Sequence, residues 1–176
     1  MDLDDALLDN ADAPIAADTR RLLPMTASAG ASMRAAAALV TPDAIDRVVD
    51  DGRPHAVVVV GGGGSRAAGD ILAAVAGSGS SVPVMTFGGP SLPGLVGPTG
   101  LVIAVSGSGR TPETLSVAAE AARRGCRLVV VSPQQTPLAY LADQTRGAVG
   151  IEVGIPTVAG TWRARAMPSP TALPTG

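Results

Sequence analysis

Leu101–Leu115, LVIAVSGSGRTPETL, constrains the fold of this chain more than any other stretch. Leu101–Val105 is short, unbroken and apolar, as a strand buried on both faces of a sheet must be. Within one residue the character changes. Ser106, Gly107, Ser108, Gly109 and Thr111 set hydroxyls beside glycines, and Pro112-Glu113 follows. Thr111 suits an N-cap, Pro112 the first helical position and Glu113 the positive end of a helix. An apolar face then runs at helical spacing as far as Arg124, with Gly125 as the stop. A strand, a hydroxyl-rich turn and a helix start together make an anion site. Glycines let the backbone approach, free amides point at the ligand, and Ser and Thr hydroxyls donate to its oxygens. The alternative is a turn that merely caps its own helix. Three hydroxyls and two glycines in six positions exceed what capping needs.

Apolar runs and helical segments alternate on both sides of this stretch. Strands are predicted over His55–Val60, Val82–Thr86, Leu101–Val105, Arg127–Val131 and Val149–Val153. Helices are predicted over Arg66–Ala76, after Thr111 and over Pro137–Asp143. Upstream, helical pieces end near Pro24, run from about Ser32 to Val40, and restart at Thr41-Pro42-Asp43 as far as Gly52. The economical solution is an α/β fold, flavodoxin-like, with a doubly wound parallel five-stranded sheet and helices on both faces. In the strand order 2-1-3-4-5, strands one and three are neighbours and their carboxyl ends form a crevice. That order brings Gly61–Ser65 together with Ser106–Thr111, two glycine-hydroxyl turns that each suit an anion.

Composition excludes several chemistries. The chain has 176 residues and a net charge of -2, and its basic residues are scattered, which gives no footing for nucleic acid. All 13 basic residues are arginine, so a Walker-type loop and a Schiff-base lysine are impossible. One cysteine, Cys126, forms neither an internal disulfide nor a cysteine-built zinc site. Gly62-x-Gly64-x-x-Ala67 matches a dinucleotide fingerprint, but the acidic ribose partner is missing after the next strand. No apolar run reaches the ~18 residues of a membrane span. Asp2, Asp4 and Asp5 open the chain, the opposite of a signal peptide, so a cytoplasmic location is expected.

Two motifs carry a family resemblance. Ser106-Gly107-Ser108-Gly109-Arg110-Thr111-Pro112-Glu113-Thr114 resembles the S-x-S-G-x-T-x-E-T motif of sugar isomerase (SIS) domains. Gly61–Gly64 with Ser65, followed by Gly69-Asp70, is similar to the companion G-x-G-G-S…G-D turn. That companion belongs to the first domain of bifunctional phosphoglucose/phosphomannose isomerases. The resemblance runs from about Ala56 to Val153. It implies a phosphosugar site built from the Gly62, Gly63 and Gly64 backbone with Ser65, Ser106, Ser108 and Thr111. Arg110, where that branch commonly has asparagine, adds a cation. It also implies a hexose 6-phosphate ligand, a homodimer, and aldose–ketose isomerisation without metal or other cofactor, using a glutamate base and a histidine.

Those isomerases carry a second SIS domain that supplies the glutamate and histidine, and a Q-P-R turn that Trp162, Arg163 and Arg165 do not reproduce. The glutamates here are Glu113, Glu120 and Glu152, and the histidine is His55 at the start of a strand. Three parts are therefore expected: an N-terminal helical segment over 1–53, an SIS domain over 54–156, and a Pro-rich tail or truncated linker over 157–176. The expected function is phosphosugar binding within the glucose-6-phosphate/mannose-6-phosphate isomerase family, without catalytic residues of its own. The alternative is a non-catalytic sugar-phosphate sensor or regulatory subunit.

Overall fold

The computed structural model describes residues 12–49 and 52–153; the expected tail and Trp162, Arg163 and Arg165 lie outside them. The described residues fall into two units, one ending at Thr26 and one beginning at Ala27. In the first lie α1 (Asp12–Ala17) and the opening turn of α2 (Leu22–Ala38). The Asp18 carboxylate accepts from the Leu22 and Leu23 amides at 2.8 Å each, which caps that turn. Pro24 was expected to end a helix. It sits instead in the first turn of α2, where a missing N–H costs nothing.

The second unit holds a five-stranded, all-parallel sheet in the order 2-1-3-4-5. Its strands are β1 (Val57–Val60), β2 (Val84–Phe87), β3 (Leu101–Val105), β4 (Arg127–Ser132) and β5 (Val149–Glu152). Every neighbouring pair is parallel, with Val60 opposite both Phe87 and Ala104. β2 starts two residues later than expected. Pro83 has no amide to give, and only its carbonyl joins the ladder, accepting from Val57.

Strand alternation sorts the core into two layers. Val58, Val60, Val102, Ala104, Leu128 and Val130 face α5 (Pro112–Arg123), α6 (Pro137–Gln144) and the buried Leu92 and Val96 of the connection after β2. On the other face, Leu101, Val129 and Val149 meet Ala44 and Val48 of α3 (Pro42–Val49). Arg127 fixes α3 there by donating to the carbonyls of Val48 and Gly52, at 3.2 and 2.6 Å. α4 (Gly64–Ala76) covers β1 and β2 on this second face. Gly69 makes that contact close: a Cβ there would stand 2.9 Å from Val59 and 2.8 Å from Thr86. No helix among the described residues is long and apolar enough to cross a membrane.

Candidate functional site

Because β1 and β3 are neighbours, the turns that leave them emerge at one edge of the sheet. They touch. A Cβ on Gly61 would lie 3.0 Å from the Val105 carbonyl oxygen, and one on Gly62 would lie 3.4 Å from the Thr111 methyl. Gly61 therefore lets the two turns approach, with Gly62 at ordinary contact, while a Cβ on Gly63 or Gly64 would meet nothing within 4 Å.

In the first turn, Ser65 donates its amide to the Gly62 carbonyl and Arg66 to that of Gly63. Gly63, at φ 55 and ψ -128, takes the N-cap position of α4 and gives no side-chain cap. This backbone is one that glycine alone adopts freely. Gly62, Gly63 and Gly64 are exposed and Ser65 half-buried, so their amides and the serine hydroxyl line the opening.

The second turn is organised by Ser106, which is 2% exposed. Its Oγ accepts from the Gly109 amide at 3.0 Å and lies 3.1 Å from Thr111 Oγ1 and 3.5 Å from Ser108 Oγ. Ser108 Oγ also accepts from the Arg110 amide at 3.2 Å. Ser108 and Arg110 are exposed and Thr111 is half-buried. Of the hydroxyls expected to hold a ligand, those of Ser106, Ser108 and Thr111 thus form one connected cluster, with Ser106 beneath and Ser108 and Thr111 above it.

Thr111 separates an anion site from a self-capping turn. Among the described residues, three helices begin with Thr-Pro. Thr41 and Thr136 spend their hydroxyls on capping, accepting from the amides of Ala44 and Ala139 at 3.3 Å each. Thr111 occupies the same N-cap position of α5 and makes no side-chain cap. Its hydroxyl turns to Ser106, and the positive end of the helix keeps its outward amides.

A third turn, Ser132–Thr136 after β4, supports the second, and the sequence reading did not include it. Leu138 donates its amide to the Gly109 carbonyl at 3.1 Å, and Gly109, at φ 61, packs directly on the Thr136 side chain. The repeated Thr-Pro was the available signal. On its far side a cleft of about 290 Å³ opens between α6 and β5, lined by Ser132, Asp143, Thr145 and Glu152 among others.

The acid–base candidates are dispersed. His55 precedes β1 at the opposite edge of the sheet, with its Nδ1 3.3 Å from Thr99 Oγ1. Glu120 is bound to Arg124 at 2.6 Å and accepts from the Leu92 amide at 2.8 Å, a bond that chiefly holds its carboxyl below the ordinary value. Glu152 is hydrogen-bonded to Gln134 beside the third turn. Glu113 stands exposed in the first turn of α5. Burial pushes the Cys126 thiol up, in keeping with an unreactive core residue.

No family model and no curated protein matches this sequence. Solved structures share the fold. The Vibrio vulnificus NanR protein complexed with ManNAc-6P matches with a TM-score of 0.59 at 20% identity, over 82% of this chain and 56% of that one. The sugar isomerase domain of an RpiR transcription factor from Sphaerobacter thermophilus matches at 0.57 and 19% identity, over 76% of each chain. The tagatose-6-phosphate ketose/aldose isomerase of Escherichia coli matches at 0.52 and 17% identity, over 64% of this chain. This chain spans about a third of that isomerase's length, 34%. At these identities the likeness establishes the fold and nothing finer.

Proposed function

We propose that the second unit is an SIS-type domain that binds a phosphosugar in the crevice between the turns after β1 and β3. The observation that carries this reading is Thr111, whose hydroxyl joins the Ser106–Ser108 cluster where its counterparts Thr41 and Thr136 cap their helices. In this reading Ser108, Thr111 and the outward amides of α5 take the phosphate, and Ser106 holds them in register. Gly62–Ser65 close the other wall and Arg110 adds charge from the rim. The ligand class is a hexose 6-phosphate, and the 54–156 segment is the binding domain. Named neighbours of the same fold include a protein complexed with ManNAc-6P and a ketose/aldose isomerase, which agrees with this ligand class.

Hydrogen bonds to a charged group contribute about 1.5–3 kcal/mol each, so Ser108→Ala is expected to weaken glucose 6-phosphate binding about tenfold to a hundredfold. Titration calorimetry reads this directly, and unchanged affinity removes Ser108 from the site.

Kinship with the glucose-6-phosphate/mannose-6-phosphate isomerases is part of the proposal. So is a homodimer. In this reading the domain has no catalytic residues of its own, and a non-catalytic sugar-phosphate sensor or regulatory subunit is the second reading. It is favoured by the engagement of Glu120 with Arg124 and Leu92 and by the position of His55 at the far edge. Proton exchange in deuterated water, at C2 of glucose and mannose 6-phosphates and at C1 of fructose 6-phosphate, tests for turnover. Exchange above background makes the chain an isomerase, and its absence with binding intact fits a binding domain without catalytic residues of its own, in the isomerase family or in a sensor.

A further inference from the structure

Arg66 follows Ser65 in the first turn of α4. Asp70 lies one turn along the same helix, yet no ion pair joins it to Arg66. The Arg66 guanidinium reaches instead to the carboxyl end of β2, where Nη1 lies 2.9 Å from the position that a Cβ on Gly88 would occupy. Gly88 directly follows Phe87, the last residue of β2, and Phe87 pairs with Val60, which leads into the Gly61–Gly64 turn. The guanidinium therefore flanks the crevice on the side away from Ser106–Thr111. Glycine at 88 leaves the room for it.

Guanidinium is a planar fork of donors matched to carboxylate and phosphate. On the β3 side, the hydroxyl cluster, the start of α5 and Arg110 already suffice for one phosphate. We infer that Arg66 receives a second anionic group of the ligand, so that the domain prefers phosphosugars bearing a carboxylate or a second phosphate. This rests on the phosphosugar reading above, and it names a narrower ligand class for the same crevice.

The test is calorimetry at low ionic strength with glucose 6-phosphate, 6-phosphogluconate and fructose 1,6-bisphosphate, on the wild type and on Arg66→Gln. The side chain is exposed, so the substitution leaves the fold in place. At least one doubly anionic ligand is expected to bind about tenfold more tightly than glucose 6-phosphate, with the advantage shrinking as salt is added. In Arg66→Gln that advantage falls to within about twofold, and glucose 6-phosphate affinity stays within about twofold of wild type. A gain for 6-phosphogluconate alone identifies the second group as a carboxylate, and a gain for the bisphosphate alone as a phosphate. Equal affinity for all three ligands overturns the inference and leaves the proposed function standing. An advantage that survives Arg66→Gln does the same. Failure of every phosphosugar to bind overturns both.

Discussion

Gly109→Val is expected to abolish phosphosugar binding and to lower the melting temperature by many degrees. Gly109 holds φ 61, where a β-branched residue is strained. A Cβ at that position would also run into the Thr136 hydroxyl, Cβ and methyl, and Thr136 is itself buried and tied to Ser132, Pro133 and Ala139. Neither the backbone nor the neighbour can yield cheaply. Together, left-handed strain and overpacking cost about 3 kcal/mol or more. The same residue donates to Ser106 and accepts from Leu138, so its displacement breaks the hydroxyl cluster from below. Gly107→Ala is the matched control, because a Cβ at Gly107 meets nothing within 4 Å. Thermal melts and calorimetry on the two variants check the contrast. Wild-type affinity in Gly109→Val would mean that the Ser106–Thr111 turn does not form the site.

Arg124→Ala is expected to release the connection between β2 and β3. The guanidinium donates to the carbonyls of Leu92, Pro93 and Val96 at 2.9–3.1 Å and to Glu120 at 2.6 Å. Glu120 in turn accepts from the Leu92 amide. This clamp seats Leu92 and Val96, 3% and 2% exposed, in the layer beside α5. The arginine is partly exposed, and water can replace some of these bonds, so the loss is set at about 2 kcal/mol. The clamp also carries a pH signature. The Leu92 amide first, and Arg124 after it, hold the Glu120 carboxyl below its unfolded value. Its contribution is therefore fully present above the unfolded carboxylate value and is lost as pH falls through the lower, folded one. Melting temperatures taken from neutral to acidic pH should fall in the wild type, and the part due to Glu120 should be missing in Glu120→Gln. Equal acid sensitivity in both would place the clamp outside the stability of the fold.

Much of this arrangement was legible in the chain. Runs such as Leu101–Val105 and Arg127–Ser132 admit few readings other than buried parallel strands, and the alternation with helices then selects the sheet. The glycine-hydroxyl turns were legible for the same local reason, since a turn's chemistry is written in consecutive residues. Boundaries fared less well. Pro24 reads as a helix end but sits in the first turn of α2, and Pro83 reads as part of a strand that begins only after it.

What the sequence did not disclose is long-range. Arg124 meets carbonyls 28 to 32 residues away, and no local pattern announces such a partner. Thr111, Thr136 and Thr41 read alike as Thr-Pro helix starts, and only the neighbouring Ser106 diverts the first of them. Arg66 belonged to a helix in sequence and reached the end of β2 in space. The placement of Ser106 as the buried centre, with Ser108 and Thr111 above it, likewise required the folded turn.

The central claim is that two turns from different strands form one phosphosugar site, and amide NMR tests it most directly. In uniformly 15N-labelled protein, titration with glucose 6-phosphate should shift the amides of Gly62–Ser65 and of Gly107–Thr111 together, along one saturating curve. Amides lining the cleft between α6 and β5, such as Asp143 and Thr145, should stay where they are. Shifts confined to that cleft, to one turn only, or to neither would contradict it.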